Sequence, residues 1–233
     1  MDISDASVLV TGGAGGFGEA TVRQLVARGA HAVVADLNQD RGKKLAEALG
    51  DRARFVSTDV TDADSVDVAI AAATEMAPLR AAVVVHGGPV AGARTANRKH
   101  EAHSVETSRR TVELFLVGTF CVASRAAAQM SRNDPLESGQ RGVVVTTASI
   151  AGFEGQVGQT DYSAAKGGVI AMTLTAARDL APVGVRVMCI APGTFYTPAY
   201  GMAEAEAEAR FGQGVPNPKR MGRAAEYASL ASQ

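Results

Sequence analysis

Short apolar runs alternate with longer stretches of helical periodicity along this chain. Strand-like runs fall near residues 7–10, 31–35, 54–57, 82–85, 142–147 and 185–190, and between them apolar residues recur at the spacing of amphipathic helices. Such alternation predicts parallel strands joined by crossover helices. Val83-Val84-Val85 and Val143-Val144-Val145 are continuous rather than alternating, as expected of strands covered on both faces. The fold class predicted is α/β: a single doubly wound parallel-sheet domain spanning residues 1–233.

In such sheets ligands bind beyond the carboxyl ends of the strands. Gly12, Asp36, Asp59, His86, Ser149 and Pro192 all fall at such ends. Three segments interrupt the rhythm. Residues 88–104 are rich in Gly, Arg, Lys and His, residues 133–141 are polar, and residues 193–218 mix an Ala/Glu helix with Pro198, Pro216 and Pro218. Long loops in a compact domain carry substrate contacts or lids, and a lid is expected near 194–218.

Composition narrows the partners. Lys plus Arg number 23 against 24 Asp plus Glu, for a net charge of -1, which supplies no field for nucleic acid or an anionic membrane. Small molecules are the expected partners. The first strand starts too near the N-terminus to leave room for a signal peptide, and no apolar run is read as reaching membrane-spanning length. Cys121 and Cys189 have no metal-spaced partner, so both are expected to be buried free thiols in reducing, cytoplasmic surroundings.

The first strand breaks into Thr11-Gly12-Gly13-Ala14-Gly15-Gly16-Phe17-Gly18 and then a helical pattern. A glycine turn between strand and helix admits a pyrophosphate to the backbone, and the helix N-terminus offers it free amides. Asp36 ends the second strand, 18 residues past Gly18, where a carboxylate accepts bonds from adenosine ribose hydroxyls and repels a 2'-phosphate. Neither the glycine turn nor Leu37-Asn38 supplies a cation for that phosphate, so NAD is expected over NADP. Asp59-Val60, ending the third strand, could meet an adenine, although Asp-Val-Thr-Asp also reads as a helix cap.

Tyr162 and Lys166 stand four apart in a predicted helix, on one face and one turn apart. A phenol free in water has a pKa of about 10. Acting as a base near neutrality therefore requires that its ionised form be favoured, and a nearby ammonium or an oxidised nicotinamide ring can do so. Ser149, 13 residues before Tyr162, can hold the reacting oxygen. Tyr162 would then take the hydroxyl proton as hydride leaves carbon.

With these residues the chain resembles the short-chain dehydrogenase/reductase family, whose fold is the Rossmann type, and the resemblance covers nearly its whole length. Thr11-Gly12 with Gly16 and Gly18 matches the cofactor turn, Ser149, Tyr162 and Lys166 the catalytic residues, and Pro192-Gly193 the motif after the sixth strand. A narrower likeness, to the type 2 3-hydroxyacyl-CoA dehydrogenase group, rests on residues 153–159 and 176–182, on 190–193 with Thr197-Pro198, and on the basic insertion around Asn97-Arg98-Lys99. The resemblance implies NAD as cofactor, a homotetramer, and oxidation of a secondary hydroxyl on a short or branched acyl-CoA in fatty acid metabolism. By position it also implies NAD contacts from Gly15, Phe17, Val60, His86 and Phe195.

Three departures stand out. Where the family has an Asn-containing motif after the fourth strand, this chain has Val85-His86-Gly87-Gly88; where it has a catalytic Asn that orders a water beside the Lys, this chain has Phe115. A phenyl ring neither donates nor accepts that bond, which puts the family's proton relay in question here. The family also continues into a seventh strand where this sequence stops at Gln233, so either an incomplete sequence or an altered assembly with an unpaired edge is expected. The alternative reading is a cofactor-binding homologue with impaired catalysis, acting as sensor or scaffold.

Overall fold

The computed structural model describes residues 1–90 and 92–233. Six strands form one parallel sheet: β1 (Ser7–Thr11), β2 (His31–Asp36), β3 (Ala53–Ser57), β4 (Leu79–Val84), β5 (Gly142–Thr147) and β6 (Val185–Ile190), in the order β3-β2-β1-β4-β5-β6. The sheet is doubly wound, as predicted. The fourth strand starts at Leu79, earlier than its apolar run, and leaves Val85 in the turn beyond.

Successive side chains of a strand face opposite ways, and the core divides accordingly. Leu9, Val33, Ala82 and Val144 pack with α3 (Ala63–Met76) and α5 (Gly118–Met130) on one face. Val8, Val10, Val34 and Val83 pack on the other with α1 (Gly16–Ala27) and α2 (Gln39–Leu49). Side-chain caps set the helix starts: Asn38 accepts from the Arg41 amide, Asp62 from Asp64 and Ser104 from Thr107, each satisfying a donor the helix leaves free.

α4 (Val105–Val112) continues through a π-helical turn, Glu113–Val117, into α5. The whole stretch, Val105–Met130, is long and apolar enough to cross a membrane by length and composition, which corrects the sequence reading. Val122, Ala126, Ala127 and Met130 within it are buried in the sheet core. Cys121 and Cys189 are free but half-buried rather than fully buried.

After β5 come α6 (Ala151–Glu154) and the long α7 (Thr160–Leu180); after β6 come α8 (Glu204–Phe211) and α9 (Ala224–Ala231). The expected lid is pinned at its base. Tyr196 N–H donates to Gly222 O and Gly222 N–H to Thr194 O, both at 2.9 Å.

Candidate active site

The strand order reverses between β1 and β4, which opens a crevice at their carboxyl ends. A cleft of about 490 Å³ lies there, with Gly12, Asp36, His86, Ser149 and Pro192 from five strand ends in its wall. Asp59, from the sixth, is not in it, and neither is Val60. Asp59 accepts on Oδ1 from the Thr61 amide and hydroxyl at 2.9 and 2.7 Å, in the loop whose last residue, Asp62, caps α3, and Val60 is buried in the core. Their expected adenine contacts are therefore not part of this cleft.

The glycine turn fits a dinucleotide. Gly12 has φ +65°, and a Cβ there would stand 2.5 Å from His86 Cα; a Cβ on Gly18 would stand 2.0 Å from Gly12 O. The first turn of α1 has no side-chain cap, so its amides remain available to an anion. Gly15, Gly16, Phe17 and Gly18 all line the cleft. Phe17 is held between Tyr227, stacked at 4.5 Å, and Phe195, edge-on at 5.4 Å, which brings Phe195 of the lid to the same wall.

At the adenosine end Asp36 is oriented by two amides, Ala14 N–H on Oδ2 at 3.0 Å and Asn38 N–H on Oδ1 at 2.9 Å. The sequence reading found no cation here, and the structure supplies one. Arg41, in the first turn of α2, lines the cleft and lies 3.5 Å from Glu19 of α1. It lines the same cleft as Asp36 from five residues further on, beyond Leu37-Asn38.

At the chemical end Ser149, Tyr162 and Lys166 share the cleft, as predicted. Ser149 follows β5, and its Oγ accepts from the Ala151 amide at 3.1 Å. Lys166 is buried, and its Nζ donates to Thr147 O at 2.7 Å. Burial lowers its pKa to about 8, against an opposing pull from Cys189. Burial also pushes the Tyr162 phenol above its ordinary value, opposed by the Ser149 hydroxyl. The Lys166 ammonium lies 5.8 Å from the Tyr162 ring centroid while donating to the strand-end carbonyl.

Phe115 sits in the π-helical turn, buried, and lines the same cleft. His86 is buried beside it, with Nδ1 3.0 Å from Thr11 Oγ1 and Nε2 3.1 Å from Leu114 O. A carbonyl can only accept, so Nε2 carries the proton and donates while Nδ1 accepts from the Thr11 hydroxyl. Burial, then the Lys166 charge, lowers its pKa to about 4, and the ring is neutral. Among the described residues no group of three or more metal-ligating side chains occurs.

A family model described as short chain dehydrogenase matches residues 6–208. The chain is 44% identical over 223 residues to 3-hydroxyacyl-CoA dehydrogenase type-2 of Bos taurus and of Homo sapiens, covering 95% of this chain and 85% of each relative. It is 41% identical over 229 residues to the protein of that name from Drosophila melanogaster, covering 98% and 90%. The crystal structure of 3-hydroxyacyl-CoA dehydrogenase type-2 from Mycobacterium avium superposes with a TM-score of 0.95 at 50% identity, over 98% of this chain and 88% of that one. A 3-ketoacyl-(acyl-carrier-protein) reductase from Brucella melitensis complexed with NADH shares the fold, with a TM-score of 0.83 at 23% identity over 99% and 90%. None of these relatives lends support to the sensor reading.

Proposed function

The chain belongs to the short-chain dehydrogenase family, and from that premise we propose that it is an NAD-dependent dehydrogenase of secondary alcohols whose substrates are 3-hydroxyacyl-CoA thioesters. The observation that carries the reading is the convergence of Ser149, Tyr162 and Lys166 on the cleft that the glycine turn opens. The Ser149 hydroxyl holds the substrate oxygen, and Tyr162 removes its proton. Lys166, anchored on Thr147 O, keeps a positive charge beside the phenol as it ionises. NAD held on the glycine turn and Asp36 would supply the hydride acceptor and a cationic ring next to Tyr162.

The thioester class follows the names of relatives at 41–44% identity. The preference for NAD follows Asp36, whose carboxylate repels a 2'-phosphate. We propose a homotetramer on the family resemblance; Phe120 on α5 and Leu174 on α7, 60% and 59% exposed, supply apolar surface suited to self-association. The reducing, cytoplasmic setting is proposed from two free cysteines.

Purified protein should reduce acetoacetyl-CoA with NADH and form NADH from NAD and 3-hydroxybutyryl-CoA, both read by absorbance. No turnover in either direction, with calorimetry showing bound NAD, would overturn the proposal.

A further inference from the structure

Asp161, one residue before Tyr162, is buried to 2% side-chain exposure and has no part in the proton transfer described above. A buried carboxylate must be fully partnered. Its Oδ1 accepts from the Tyr162 amide at 2.8 Å, within the first turn of α7. Its Oδ2 accepts from the Thr111 hydroxyl of α4 at 2.8 Å and faces His103 Nε2 at 3.4 Å. Thr111 has one proton to give, and Thr107 O lies farther from it, at 3.1 Å. The charge-assisted bond to Asp161 is the stronger of the two.

His103 belongs to the segment that precedes α4, and that segment is stitched to the same helix start elsewhere. His103 N–H donates to Thr95 O at 2.9 Å, and Thr95 Oγ1 lies 2.9 Å from Thr160 Oγ1. A Cβ on Gly158, at φ +90°, would stand 2.9 Å from Gly92 O, so the two backbones are in close approach. Gly88 and Val90, earlier in the same connection, wall the cleft. One end of this connection thus meets the cleft, and the other grips the turn that carries Tyr162.

Resting on the dehydrogenase reading, we propose that Asp161 is a positioning residue: with His103 it couples the wall segment to the first turn of α7 and so fixes where the Tyr162 hydroxyl stands. The pair works with His103 neutral or charged, because its Nε2–H donates in either state. Catalysis is sensitive to such placement, since a shift on the order of 1 Å can cost about a hundredfold.

The test uses His103→Ala, His103→Gln, Asp161→Asn and the double variant His103→Ala/Asp161→Asn in the whole chain. Each single loss should lower kcat about tenfold with the NAD Kd within twofold, since the glycine turn is on other elements. The double variant should be no worse than the poorer single one, because the two side chains act as one unit. His103→Gln, which keeps a donor, should recover at least a third of kcat. Unchanged kcat in folded His103→Ala, or losses that multiply in the double variant, would sink the proposal. Hydrogen exchange gives a readout free of turnover. His103→Ala should speed exchange both in residues 92–104 and in the first turn of α7; an effect confined to 92–104 overturns the coupling. An inactive wild-type protein counts against the dehydrogenase reading, while exchange still decides whether the two segments move together.

Discussion

The Phe115 ring meets the Tyr162 ring edge-on, with centroids 5.0 Å apart. The same ring lies 5.0 Å from the Lys166 ammonium. The side of Lys166 that faces α4 and α5 is thus occupied by an aromatic face rather than by a polar group. A ring face attracts a cation, so Phe115 favours the charged lysine, but it passes no proton.

Phe115→Asn should therefore raise kcat several-fold while leaving the NAD Kd within twofold, because the change touches proton transfer and not the glycine turn. The measurement is NADH absorbance at saturating substrate beside calorimetry with NAD. Equal or lower turnover in a folded variant would show that Phe115 does not limit proton exchange.

Tyr162→Phe removes the proton carrier and keeps the ring that packs on Phe115. Turnover should fall by about 10²–10⁴, the usual contribution of a positioned acid/base group, with NAD binding changed by a few fold at most. Activity retained at the wild-type level would mean that another group moves the proton.

The centre of the sheet was readable because β1, β2, β4 and β5 are apolar runs buried along most of their length, a pattern that needs no partner to be recognised; β3 and β6 at the edges are only partly buried. Ser149, Tyr162 and Lys166 were readable because their spacing, a strand end followed by a helix turn, is itself local. What escaped lies outside those patterns. Arg41, five residues past Asp36, lines the cleft from the first turn of α2, and Asp161 is partnered by Thr111 and His103 from 50 and 58 residues away. Asp59 stands at its strand end as read, and its Oδ1 accepts from Thr61 two residues on, a local bond that strand-end position alone does not show.

Asp36 and Arg41 stand together at the adenosine end of the cleft, one repelling a 2'-phosphate and the other suited to bind it. Asp36→Ser should therefore be enough to tighten NADP binding at least tenfold, about 1.4 kcal/mol, because the cation is already in place. Asp36→Ser/Arg41→Ala should lose that gain. Calorimetry with NAD and NADP reads both, and equal NADP affinity in the single and double variants would show that Arg41 does not engage the phosphate.

His86 makes stability depend on pH in a window set by its own burial. Both ring nitrogens are engaged, by Thr11 and Leu114, and the folded-state pKa is held at about 4 against the ordinary 6.5. Between those values the unfolded chain binds a proton that the folded chain refuses, so acid favours unfolding there. The contribution is fully present above pH 6.5 and is lost progressively as pH falls toward 4, up to about 3 kcal/mol. His86→Gln, which can still donate to Leu114 O and accept from Thr11 but does not titrate, should start with a lower Tm at pH 7.5 and lose less on going to pH 5. Parallel Tm-against-pH curves for the two proteins would show that His86 carries no such penalty. A shallower curve for the variant would identify its neutral ring, wedged between β1 and the turn that bears Phe115, as the source of the acid sensitivity.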